Sequence, residues 1–157
     1  MNRVLLATFL IGIAGTVSAS EFGINIYGIS YHPDREDSQG NEFHEINPGA
    51  GIQWILTETK RNVWFLDGGL YRNSSAHAAE YFSFGYRYKL YRGIQIGAAL
   101  ALYHSKDQNQ DEPFLAPLLL LSYRFRRVSI HLIPLPRYKD VNRNAAIGLY
   151  ATIFIFN

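Results

Sequence analysis

His32, Asn73 and Ser74 are the residues of this chain whose types best suit acid–base and nucleophilic chemistry. A histidine titrates near neutrality and can take the proton of a serine hydroxyl, which makes the pair competent for acyl transfer. A neighbouring amide such as Asn73 can orient either partner. The plain alternative is that His, Asn and Ser at strand ends cap the backbone and bind water. The other histidines, His44, His77, His104 and His131, have no metal-ligand spacing, and His44-Glu45 does not extend into a zinc-protease motif. The chain carries no phosphate loop, nucleophile elbow or dinucleotide fingerprint. Neither a metal nor a cofactor is expected.

His32 and Asn73-Ser74 meet only if the chain folds so that distant segments end at one rim. From Ala145 to Phe156 the residues alternate strictly. Ile147, Leu149, Ala151, Ile153 and Ile155 share one face, and Gly148, Tyr150, Thr152, Phe154 and Phe156 share the other. The same period predicts eight strands, at 22–32, 47–58, 63–72, 80–89, 93–104, 115–124, 128–137 and 145–156. The connections at Glu58–Asn62, Leu90–Arg92 and Phe125–Arg127 are short. Those at Pro33–Ile46, Asn73–Ala79, Ser105–Phe114 and Tyr138–Asn144 are longer and polar. An all-β, eight-stranded antiparallel up-and-down transmembrane barrel has this rhythm, with short periplasmic turns and longer external loops. His32 and Asn73-Ser74 then lie together at the external rim.

Arg3, the apolar run Val4–Ala14 and the small residues Val17-Ser18-Ala19 read as a signal peptide covering residues 1–19, with cleavage after Ala19. The barrel would occupy residues 20–157 of a monomer in the outer membrane of a Gram-negative bacterium. The chain has no cysteine, so an exported domain of this size needs a stabiliser other than disulfides. A closed ladder in lipid supplies one. The 11 tyrosines and 10 phenylalanines suit aromatic girdles at two membrane interfaces. A net charge of +2 gives no reason to expect nucleic acid as a partner.

The expected lipid face includes Ile52, Trp54 and Leu56, then Trp64, Leu66 and Leu70, then Phe82, Phe84, Tyr86 and Tyr88, and then Ile94 to Leu102 in alternation. The opposite faces mix polar and small residues: Tyr81, Ser83, Gly85 and Arg87, then Gln95, Gly97, Ala99 and Ala101. Three strands depart from this pattern. Ile24 and Ile26 share a period-two face with Ser30 and His32, Leu118–Leu121 is apolar on both faces, and Phe154 and Phe156 oppose the isoleucines of the last strand. Two interiors fit these departures: a greasy lower cavity able to hold a hydrocarbon chain, or a narrow barrel filled by its own side chains.

Several segments, in order along the chain, resemble the PagP family of outer-membrane lipid A palmitoyltransferases. They are Ile29-Ser30-Tyr31-His32, Asn47-Pro48-Gly49-Ala50-Gly51, Tyr71-Arg72-Asn73-Ser74, Phe84-Gly85-Tyr86 and the spaced prolines Pro117 and Pro134. The resemblance implies an enzyme that moves a palmitoyl-type chain from phospholipid to lipid A, with no cofactor. It implies His32, Ser74 and Asn73 as the catalytic group and Gly85 as the floor that limits acyl length. Pro117 and Pro134 would flank a lateral opening between the sixth and seventh strands, since proline brings no N–H to a ladder. The chain departs from the family at three places. Asn73 stands where the family has aspartate and cannot act as a carboxylate. There is no room for the family's N-terminal amphipathic helix. Tyr27-Gly28 replaces a proline early in the first strand. A lipid A deacylase, with Glu42 or Glu45 orienting His32, and a non-catalytic barrel that binds lipid or a partner are the competing readings.

Overall fold

The computed structural model describes residues 21–36, 40–137 and 144–156. The expected signal peptide lies outside the described residues. Eight strands follow one another in meander order: β1 (Glu21–Tyr31), β2 (Ile46–Glu58), β3 (Asn62–Arg72), β4 (Ala78–Tyr91), β5 (Ile94–Ser105), β6 (Phe114–Phe125), β7 (Val128–Leu135) and β8 (Ala146–Phe156). β8 returns to pair with β1, and the sheet closes as an antiparallel barrel. Every strand expected from the alternation is present, with ends moved by a residue or two. Closure covers the strand edges wherever neighbouring strands pair along their length.

The two ends differ in construction. At the turn end, Arg92 and Gly93 both have positive φ (45° and 88°), the geometry of a two-residue hairpin whose twist matches the flanking strands. The Thr59 hydroxyl accepts the Asn62 N–H at 2.9 Å and tightens the β2–β3 turn. The loop end carries the longer connections and the polar rim.

Alternation sorts the side chains as expected on most strands. Phe82, Phe84, Leu100, Leu102, Leu119 and Leu121 point outward and are 46–61% exposed. β1 breaks the period. Its pairing slips between Tyr27 and Ile29: Gly28 is an extra residue, a bulge, against β8, while against β2 it stands opposite both Asn47 and Pro48. An extra residue reverses the phase of everything beyond it. Ile24 and Ile26 therefore face outward, whereas Ser30 and His32 face in. The shared face read from the simple alternation is corrected by this one residue.

The interior is packed in layers. Nearest the turns, Glu58 bonds Lys89 and Arg124, and Arg124 also reaches the Glu21 carboxylate at 2.6 Å. Above this lies an apolar layer of Ile55, Val63, Phe65, Ala99, Leu120 and Phe154. The lower interior is greasy, as one reading of the sequence expected, but it is filled by these side chains.

A polar layer follows. Asp67 accepts hydrogen bonds from Asn25 (2.6 Å), Gln53 (2.9 Å), Tyr81 (2.8 Å) and Tyr150 (3.0 Å). Arg87 donates to Gln53 at 2.8 Å and lies over the Phe65 ring at 4.5 Å. Thr152 donates to Asn25 at 2.7 Å, so its oxygen accepts from His131 Nε2 at 3.0 Å. That fixes the Nε2–H tautomer, and His131 Nδ1 is left to accept from Ser122 (2.8 Å) and Arg87 (3.2 Å). Tyr27 stands at the centre of the next layer, with the rings of Tyr71, Tyr81 and Tyr150 5.3–6.0 Å from its own. Its phenol occupies the space where a side chain on Gly51 or Gly69 would stand, which explains both glycines.

The seams between strands are unequal. β6 pairs with β5 along nearly its whole length, from Tyr103 opposite Phe114 to Ile94 opposite Tyr123. Its pairing with β7 covers only the turn half and stops at Leu121 opposite Leu132. β7 stays with β8 as far as Leu135 opposite Ala146. The loop half of the β6–β7 seam is therefore unzipped. Extending the register would set Leu119 against Pro134 and Pro117 against Pro136, a stretch in which prolines remove donors from the ladder.

Candidate rim site and lateral seam

His32 follows β1 directly and turns inward because of the Gly28 bulge. Only 6% of it is exposed. Its Nε2 lies 3.2 Å from Ser30 Oγ, and its ring stacks on Phe43 with centroids 4.2 Å apart. Its Nδ1 is buried with no hydrogen-bond partner. Burial pushes the imidazole below its ordinary value of 6.5, against the opposing pull of the Glu45 charge. The neutral ring is the form that can accept a proton.

Ser74 lies at the same rim, half-buried. No hydrogen bond joins it to the His32 ring among the described residues. The first long loop runs between them: Phe43 covers His32, and the His44 N–H donates to the Ser74 carbonyl oxygen at 2.9 Å. The structure brings the expected pair to one rim and places a loop segment across the gap.

Asn73 is buried and fully committed. Its Oδ1 accepts the backbone N–H groups of Ser75 (3.1 Å) and His77 (2.9 Å), which folds the β3–β4 loop back on itself. Its Nδ2 donates to Asp107 (2.7 Å) and Ser105 (3.0 Å). Asp107 also accepts from the Ser105 hydroxyl. Burial opposes the charge on Asp107, but the Ser105 and Asn73 hydrogen bonds outweigh it and hold the carboxyl below its ordinary value of 3.8. Asn73 thus ties an ionised carboxylate to the rim.

Gly85 sits on the inner face of β4. The Phe65 ring occupies the space that a Cβ there would need. Pro117 and Pro134 lie on β6 and β7, at the unzipped half of the seam. Inside this half, Leu118 and Ile133 pack against the apolar layer, and Ala101 and Ala116 beside them give little bulk. A side chain on Gly148 would meet nothing nearer than the Ile133 carbonyl oxygen at 4.0 Å.

No family model matches the sequence, and no curated protein matches it. The rim is accordingly read from its own geometry. Asp107 was not among the expected site residues, although the inward phase of Tyr103 and Ser105 runs on to it. Asp67 was likewise visible as a charge out of phase with Leu66 and Leu70. The carboxylates Glu42 and Glu45 lie in the first loop. Glu45 is the one whose charge acts on His32.

Proposed function

We propose that the chain is an outer-membrane barrel that transfers a palmitoyl-type acyl chain from phospholipid to lipid A at its loop-end rim. The observation that carries this reading is the unzipped half of the β6–β7 seam. A barrel that only had to be stable would gain by pairing these strands, because an unpaired backbone polar group in hydrocarbon is costly. A break at this level suits a lipid that enters sideways. The outward band of Ile, Leu and Phe on all eight strands supports the membrane setting, since no water-soluble barrel benefits from exposing it. The signal-peptide pattern supports export.

In this reading His32 Nδ1 takes the proton of the lipid A hydroxyl, and the hydroxyl oxygen attacks the phospholipid ester carbonyl. A new ester forms, and the departing lysophospholipid oxygen receives the proton. Ser74 polarises the reacting groups. Asn73 holds the β3–β4 loop, and with it Ser74, in place. The Phe43-His44 segment must move aside for substrate. Gly85 with the Phe65 ring would limit acyl length only for a chain that displaces the Tyr27 and Asp67 layers above them.

A second reading has its own observation: every polar group of the Asn73 amide is already satisfied, and His32 Nε2 is held by Ser30. A non-catalytic lipid-binding barrel would look like this. Expression in a host without its own palmitoyltransferase, followed by mass spectrometry of lipid A, separates the two. An added acyl chain with wild type and none with His32→Ala supports the transferase. A lost chain would indicate a deacylase. Unchanged lipid A, with the barrel folded in the outer membrane, would leave the non-catalytic reading.

A further inference from the structure

The carboxylates are segregated towards the loop end, whereas cations lie at both ends, with Arg35, Arg72, Lys106 and Arg137 at the loop end. Asp34, Glu36, Glu42, Glu45, Glu80, Asp107, Asp111 and Glu112 all lie at or near the loop end. At the turn end the only described carboxylates are Glu21 and Glu58, and both are partly buried and spent on Arg124 and Lys89. Lys60, Arg61, Arg92, Arg126 and Arg127 are exposed there.

Three of these cations converge. An open depression of about 410 Å³ lies between the β2–β3 and β4–β5 turns, lined by Lys60, Arg61, Lys89, Tyr91, Arg92 and Gln95 among others. Among the described residues, no acidic one lines it. Lys89 is neutralised by Glu58, so the uncompensated charge is that of Lys60, Arg61 and Arg92. Arg61 is held by the Tyr88 phenol oxygen at 3.2 Å, and Arg92 packs over the Tyr91 ring at 5.0 Å. Leu90, Tyr91 and Ile94, on the walls of the same depression, are 41–66% exposed.

Cations and exposed apolar side chains lining one depression match a molecule with an anionic head and hydrocarbon tails. We infer that this depression binds the phosphodiester headgroup of an anionic phospholipid in the leaflet at the turn end. The inference rests on the membrane setting proposed above and not on the acyl-transfer chemistry. The phosphate sits against Lys60, Arg61 and Arg92, and its chains run along Leu90 and Ile94 on the barrel wall. Basic residues at a membrane surface attract anionic lipid, and aromatic rings at the headgroup level fix the depth.

The test refolds the full chain into phosphatidylcholine vesicles that hold a minor fraction of phosphatidylglycerol. Either lipid is brominated in turn, and quenching of Trp54 and Trp64 is compared. Both tryptophans lie on β2 and β3 towards the turn end. Brominated phosphatidylglycerol is expected to be favoured about fivefold or more at low salt, and the preference should fall as salt rises. The Lys60→Gln/Arg61→Gln/Arg92→Gln variant, whose changes are all at exposed positions, should insert normally and lose the preference. Equal quenching by both lipids in wild type, or an unchanged preference in the variant, would overturn the site. Inorganic phosphate should compete no better than chloride of equal ionic strength. If it alone abolishes the preference, the depression is a free-phosphate site and the lipid assignment is wrong. Failure of wild type to insert into vesicles would instead overturn the membrane setting, and the site with it.

Discussion

The β1–β4 side of the barrel and the outer half of the β6–β7 seam are built on opposite rules. On the first side every strand is paired, and the interior is crowded by large polar groups that satisfy one another around Asp67, with Tyr27 above them. On the second the ladder stops at Leu121 and Leu132, and the inward residues are the apolar Leu118 and Ile133, with the small Ala116 and Gly148 beside them. The first arrangement stabilises closure. The second gives up pairing where the wall would otherwise be sealed. The strands that flank the weak seam are held on their other sides, β6 by β5 and β7 by β8.

The largest expected effect is on the rigid half. Asp67→Ala would strand four donors in the interior and leave the buried Arg87 without a carboxylate nearby. A loss of about 3–5 kcal/mol is expected, read by urea unfolding of the vesicle-embedded barrel. A loss under about 1 kcal/mol would mean that the layer is not a stabilising unit. Gly85→Val comes next. It drives a branched side chain into the Phe65 ring, for an expected cost of about 1–3 kcal/mol in the same assay. No change would show that the floor at Phe65 yields, and that the two sides differ less in packing than their side chains suggest.

Smaller effects come from pH at the rim, where the two groups respond in a definite order. His32 has a lowered folded value, so its favourable neutral state is complete above 6.5 and is lost as pH falls below that. Asp107 also has a lowered folded value, and its contribution is complete above 3.8 and is lost as pH falls through the folded value. Acidification should therefore loosen the first long loop before the Asn73–Asp107 contact. Hydrogen exchange at a series of pH values would follow both segments. Loosening of the two together, or Asp107 first, would contradict the assignment.

The strands were legible because a half-buried strand must alternate, and nearly every turn and loop here begins where alternation fails. The bulge was not, because Gly28 sits in a run that reads smoothly as β, and only pairing with β8 reveals the extra residue. That one position decides whether His32 faces in or out. The charges Asp67 and Arg87 were visible on inward phases. Their network was not, since its bonds join residues as far apart as Asn25 and Thr152 and depend on how strand tilt aligns levels. At the rim, His32 and Ser74 were placed together by strand order alone. The Phe43-His44 segment between them belongs to a long loop, where no period constrains the path. The seam was anticipated through Pro117 and Pro134, because a missing N–H is a local property of the residue.

Lipid is proposed to reach the rim through this seam. The chain has no native cysteine, so Leu119→Cys and Pro134→Cys can supply the only thiols, and oxidation would draw β6 and β7 together. Lipid A from a host lacking its own palmitoyltransferase would be weighed with the tether reduced and with it oxidised, the disulfide being checked by gel mobility. The expected result is one added acyl chain in the reduced state and none in the oxidised state. Equal acylation in both states would contradict the lateral route, and no acylation in either, with wild type also silent, would contradict the transferase itself.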